Sequence, residues 1–306
     1  MVSHPAFWLG AVALVLWGLR YALHRGLAPE STQAGVQPLA LGLPAQAVRI
    51  PAVRGLTLFA WYVPQPGPQP APAVVLLHGW GGNASTLLPA AQTLRQAGYA
   101  VLLPEARNHG RSDRDGHSSL PRFAQDLGSA LDWLALQPGI DTTRVAALGH
   151  SVGGAAVLLA ASQRTDLYGA IVVSAFAHPE QVMRRWLAAR HVPYWPLGWV
   201  VNRYVERVIG ARFTDIAPLY TLARAQCPVL LLHGRQDNLV PVDDVRQLWQ
   251  RRGSAQVRLL ECDGTHEGFD DLAAVSRHIL DFLQAPGEAA ALAPIHESPS
   301  AVASAF

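Results

Sequence analysis

The chain has 306 residues, half of them hydrophobic and 15% charged. That composition suits one large α/β domain with a sizeable core and excludes disorder of the whole chain. All 24 basic residues are arginine, set against 22 acidic ones; a formal charge of +2 without a basic run gives no basis for nucleic-acid binding.

Residues 5–19 carry no charge, Arg20 interrupts the run, and Tyr21, Ala22 and Leu23 prolong it. About 20 apolar residues span a bilayer, so residues 1–27 are read as a hydrophobic helix acting as a membrane anchor. Trp8, Trp17 and Tyr21 stand near its ends as interfacial aromatics do. A cleaved signal peptide and a helix packed on the domain are the alternatives. Arg20 and Arg25 follow the span, which places the main domain on the cytoplasmic side.

Residues 28–47 read as a linker. The stretch 48–64 alternates as a strand pair turning near Arg54-Gly55, and a proline-rich loop follows it. Short apolar runs then alternate with helical patterns. The runs are 73–79, 99–106, 144–150, 168–175, 228–234 and 255–262; the helices fall at 84–97, 120–136, 152–163, 243–252 and 268–284. Near-continuous Val/Leu/Ala runs suit parallel strands buried on both faces, so residues 48–285 are expected to form an α/β domain around a mostly parallel central sheet flanked by helices. The segment 176–226 lacks a strand and is rich in aromatics, which marks a helical insertion at the carboxyl edge of the sheet. The tail, 286–306, is expected to be disordered. Cys227 and Cys262 fall at opposite ends of neighbouring strands, roughly 15–20 Å apart at the rise of a strand. A disulfide spans about 7 Å at most, so two free thiols are expected.

Gly149-His150-Ser151-Val152-Gly153 follows one apolar run and opens a helix, the strand–turn–helix setting of a nucleophile elbow. Ser151 is the candidate nucleophile. A serine needs a base, and the base needs a partner that fixes its tautomer. Asp237 in "RQDNLVP" and His266 in "DGTHEGF" follow the fifth and sixth runs, on the same sheet edge as Ser151. Asp263 and Asp215 are the fallback carboxylates. For an oxyanion hole the N–H groups of Val152 and of Trp80, in "HGWGGN", are the candidates. His78 precedes that turn and is read as a brace for the loop. Trp186, Trp195 and Trp199 are tentative substrate-binding residues. The arginines at 184, 185, 190, 203, 207 and 212 are read as a solvated helix face, or as contacts for anionic head groups or a substrate carboxylate. No metal site is assigned: Asp113 to His117 lacks the later ligands of a calcium loop, and His109 and His117 lack a partner at helical spacing. No cofactor fingerprint is present.

The stretches "HGWGGN", "PEARNHGRSD", "LGHSVGG", "LLHGRQDNLVP" and "DGTHEGF", in this order over residues 78–269, resemble the α/β-hydrolases of the serine-esterase, lipase and aminopeptidase-like branch. The chain departs from the family's usual Asp and Gly at Glu105 and Asn108. The resemblance implies an α/β-hydrolase fold, a Ser151–Asp237–His266 triad and a cap formed by residues 176–226. The expected activity is hydrolysis of a small-molecule carboxylic ester, such as an acyl ester or monoglyceride, with no cofactor. A serine peptidase or acyltransferase on the same triad, and a non-catalytic membrane-tethered binding protein, are the alternatives. The oligomeric state is not legible.

Overall fold

β1 (Gln46–Pro51) and β2 (Thr57–Val63) form an antiparallel pair at one edge of the sheet, joined by a tight turn in which Arg54 and Gly55 both take positive φ. The computed structural model describes residues 17–18, 21, 26–29, 35–287 and 295–296. From β2 the chain enters β3 (Ala71–Leu77), α1 (Leu88–Gln96), β4 (Ala100–Pro104), α2 (Leu120–Ala135), β5 (Ile140–His150), α3 (Val152–Ala161) and β6 (Gly169–Val173). α4 (Pro179–Ala188), a π-turn (Tyr194–Gly198), α5 (Trp199–Ile209), α6 (Phe213–Ile216) and α7 (Pro218–Thr221) lie between β6 and β7 (Val229–Gly234). α8 (Val242–Gln250), β8 (Val257–Cys262), α9 (Leu272–Gln284) and β9 (Ile295–His296) complete the order. The sheet runs β1-β2-β4-β3-β5-β6-β7-β8-β9, antiparallel at β1/β2 and β2/β4 and parallel throughout the rest.

The apolar runs are continuous because helices cover both faces. Ala73, Val75 and Leu77 of β3 join Phe123 and Leu127 of α2 and all of α3 but its two glycines in one core cluster. Val74 and Leu76, pointing the other way, join Leu88 and Leu94 of α1 and Phe282 of α9 in a second. Every residue of α3 is buried, which is why its sequence is apolar or glycine all round.

Three local expectations shift. β5 begins at Ile140 rather than 144, because Ile140 pairs with Ala71 and draws Asp141–Arg144 into the strand. α9 begins at Leu272 rather than 268: Asp271 caps it by accepting the Ala274 N–H at 2.8 Å, and a Gly264–Phe269 bridge keeps the preceding residues as a loop. Within the tail expected to be disordered, β9 pairs with β8, using backbone groups that an edge strand leaves open.

The hydrophobic helix expected over 1–27 lies almost wholly outside the described residues; among the described residues no helix is long and apolar enough to cross a membrane. Cys227 and Cys262 are both buried free thiols, and burial pushes the Cys227 thiol up to about 12.

Candidate active site

Three loops at the carboxyl ends of β5, β7 and β8 carry the candidate residues Ser151, Asp237 and His266. Ser151 stands between β5 and α3 with φ 55° and ψ −120°, a strained backbone for a residue with a Cβ. Its N–H donates to Val173 O at 2.8 Å, which ties the elbow to β6. Space explains the two flanking glycines. A Cβ on Gly149 would stand 2.2 Å from Gly153 O, and one on Gly153 would stand 2.5 Å from both Leu77 O and His78 O. Those are backbone atoms, so no side chain can move aside. Ser151 is half-buried, and its hydroxyl makes no hydrogen bond among the described residues.

Asp237 and His266 meet, the His266 Nδ1–H donating to Asp237 Oδ2 at 2.7 Å. The other carboxylate oxygen accepts the N–H groups of Leu239 (2.9 Å) and Val240 (2.7 Å). Burial works to raise the Asp237 carboxyl, but these bonds and the nearby His266 and His233 outweigh it and hold it below the usual carboxylate range. Neither fallback carboxylate does this. Asp263 is engaged by Arg235 at 3.0 Å and Gln236 at 3.3 Å, and Asp215 sits in α6.

Val152, the first residue of α3, has an N–H without a partner inside the helix. The turn holding Trp80 abuts the elbow, since a Cβ on Gly79 would lie 3.2 Å from Ser151 Cβ. The Trp80 ring turns away towards α2, stacking on Phe123 at 6.4 Å between centroids. His78 braces this turn. It accepts the Ala106 N–H on Nε2 at 3.0 Å, which leaves Nδ1–H to donate to Gly79 O at 2.7 Å. Burial first, then the neighbouring His109, push it down to about 3, so it stays neutral.

Two further histidines belong to the site. His150 Nε2–H donates to the His266 carbonyl at 2.8 Å, and the two rings lie 4.8 Å apart. His233, fully buried at the end of β7, donates from Nε2 to Val240 O at 2.8 Å and so closes the loop that holds Asp237. The sequence holds a signal for the second: "LLHG" occurs at 76–79 and again at 231–234, each time ending a strand.

The departures at Glu105 and Asn108 are accommodated locally. Asn108 takes φ 68°, a left-handed conformation that asparagine tolerates nearly as glycine does. Glu105 accepts the N–H groups of Ala84 and Arg111. Beside them Arg107 and Asp126, both buried, form a multiply bonded ion pair with contacts of 2.6 to 3.1 Å.

A cavity of about 410 Å³ opens beside His266, between α1 and α9, with Leu87, Ala90, Leu148, Val275, Ile279 and His150 among its lining. It is within the size range of small-molecule sites. Trp80, Trp186, Trp195 and Trp199 do not line it. The last three lie at the surface, 48%, 70% and 43% exposed.

A mostly parallel sheet with a serine on a strained strand–helix elbow and an Asp–His pair on later loops of the same edge defines an α/β-hydrolase. Residues 68–221, half of the chain, match the family described as serine aminopeptidase, S33, and the chain belongs to that family. An uncharacterized protein of Mycobacterium tuberculosis is 29% identical over 187 residues, which make up 61% of this chain and 60% of that relative's length. A mouse sn-1-specific diacylglycerol lipase is 37% identical over 103 residues, 33% of this chain and 32% of that one. An esterase of Pyrococcus furiosus superposes with a TM-score of 0.69 at 21% identity, over 84% of this chain and 97% of that one; this likeness is one of fold.

Proposed function

We propose that the protein is a serine hydrolase cleaving carboxylic esters that carry an apolar acyl group, through an acyl-enzyme on Ser151. The observation that carries this reading is the 2.7 Å bond between His266 and an Asp237 carboxylate held on its other oxygen by two backbone N–H groups. In this mechanism His266 Nε2 takes the Ser151 proton as the hydroxyl oxygen attacks the ester carbonyl. Asp237 stabilises the imidazolium that results, and the N–H groups of Val152 and Trp80 receive the oxyanion. The imidazolium returns its proton to the leaving alkoxide. Water then attacks the acyl-enzyme with His266 again as base, freeing the acid and Ser151. The cavity beside His266 supports an apolar acyl group, because Leu87, Leu148, Val173, Val275 and Ile279 line it, although Ser151 itself does not.

The family description favours a second reading, a serine peptidase on the same residues. A fluorophosphonate probe and a panel of p-nitrophenyl esters and aminoacyl amides separate these readings. Labelling of the wild type but not of Ser151→Ala, with turnover of esters above that of amides, is expected. No labelling of the wild type would leave a binding protein, and faster amide turnover would leave the peptidase. Attachment to a membrane through residues 1–27, with the domain on the cytoplasmic side, is part of the proposal. Loss of the full chain from membranes in an alkaline carbonate wash overturns it.

A further inference from the structure

The segment between β6 and β7 carries a charge the rest of the chain does not share. Residues 176–226 hold seven arginines against Glu180, Glu206 and Asp215, a formal +4 in a chain whose total is +2, so the remainder is net acidic. Three of these arginines are committed to carboxylates: Arg184 to Glu180, Arg185 to the buried Asp244, and Arg203 to Glu206. Arg190, Arg207 and Arg212 form no ion pair among the described residues and are exposed.

The same segment presents its large apolar side chains to solvent. Trp186, Trp195, Leu197, Trp199 and Val200 are between 43% and 70% exposed within fifteen residues of chain. Isolated exposed apolar residues are ordinary, whereas a cluster marks a contact surface. This cluster is folded together: Gly198 lets the π-turn sit on Leu187 of α4, where a Cβ would lie 2.7 Å from that side chain. The Trp195 and Trp199 rings lie 5.8 Å apart. Arginines cover the ring faces, Arg190 at 3.8 Å over Trp186 and Arg203 at 5.9 Å over Trp199. Trp199, Arg203 and Arg207 follow one another at intervals of four along α5 and so share one side of it.

Indole rings interleaved with arginines match a bilayer's interfacial zone, where the rings sit at head-group depth and the cations meet lipid phosphates. We propose that this surface docks on an anionic bilayer, with Trp186, Trp195, Leu197 and Trp199 entering the head-group layer and Arg190 and Arg207 meeting the lipid charge. The surplus of unpaired arginines selects an anionic membrane over an acidic protein, because the apolar residues between them need a non-aqueous layer to enter. The proposal rests on surface chemistry alone and does not depend on the triad.

The test uses the full chain carrying Leu197→Cys with a polarity-sensitive fluorophore, both native cysteines being buried. A control label goes on Leu136→Cys, just past α2, at the opposite edge of the sheet from Ser151. With vesicles of phosphatidylcholine containing about a third phosphatidylglycerol, the Leu197 label is expected to shift to the blue while the Leu136 label does not. Adding Arg190→Glu and Arg207→Glu should weaken vesicle binding read by that shift tenfold or more at an unchanged thermal midpoint. A chain that sediments with vesicles while the Leu197 label stays unshifted docks by another segment, and overturns the proposal. An equal shift on pure phosphatidylcholine overturns the charge component. A label already blue without lipid shows that the chain itself or a second copy covers the patch, and overturns it as well.

Discussion

Asp237 Oδ2 receives the Nδ1–H of His266 at 2.7 Å, and Oδ1 of the same carboxylate is held at 2.7 Å by the Val240 N–H. A carboxylate clamped on both oxygens cannot rotate away, so it fixes the proton on the Nδ1 of His266 and leaves Nε2 as the basic nitrogen. Asp237→Asn keeps the shape but favours the wrong tautomer, and kcat is expected to fall by roughly 10⁴. Ser151→Ala and His266→Ala should each cost roughly 10⁶, and the double variant little more, because the three act as a unit. Ester turnover across these variants checks this. A fall of less than tenfold in Asp237→Asn moves the carboxylate role elsewhere.

Stability should decline on mild acidification, with His78 a main cause. Unfolded, it takes up a proton near pH 6.5; folded, burial delays this to about 3. Between those values the unfolded chain binds more protons, so stability falls as pH drops, by roughly 1.4 kcal/mol per pH unit for a single such group. His109, His150, His178 and His233, also lowered chiefly by burial, act in the same sense. Asp237 adds a loss at lower pH, as its depressed carboxyl protonates. Thermal midpoints from pH 8 to 4 should descend, and more gently in His78→Gln. Parallel curves for the two proteins would contradict the assignment.

Gly149→Ala should be among the most damaging single-methyl additions available to the chain. The new Cβ would meet Gly153 O at 2.2 Å and Gly154 N at 2.6 Å, so the elbow itself must shift. A loss of about 3 kcal/mol or more in denaturant unfolding is expected, together with loss of fluorophosphonate labelling. Gly98→Ala serves as the comparison, since its positive φ is the sole obstacle and nothing lies within 4 Å of the added atom. It should cost about 1 kcal/mol.

Ile279→Trp places an indole in the cavity beside His266. On a series of p-nitrophenyl esters, kcat/KM should fall at least tenfold for long acyl chains and change little for acetate. A uniform fall across the series would place the acyl group elsewhere.

The parallel strands were legible because βαβ units leave a plain mark: short Val/Leu/Ala runs, each followed by a helical pattern. Ser151, Asp237 and His266 were legible for a related reason, each following such a run by a few residues. The strand order was not, because β4 crosses beyond β3 by contacts that local patterning does not encode. Arg107 and Asp126 are nineteen residues apart, and nothing in their surroundings announces a buried pair. Composition alone suggests Trp186, Trp195 and Trp199, of α4, the π-turn and α5, as substrate contacts. The structure instead exposes them, since the interior side of these elements is already filled by Leu187, Val201 and Val205. The cavity between α1 and α9 is a property of packing, and no stretch of sequence marks it.

The Ser151 N–H bonded to Val173 O fastens the backbone of the elbow to the central sheet. Its amide should therefore exchange with heavy water only when the central strands open, on the slowest timescale the molecule has. Amides of α4 and α5, more exposed and more loosely held, should exchange far sooner. Whatever sets the rhythm of ligand entry and exit then belongs to the periphery, while the Ser151 backbone keeps a fixed place.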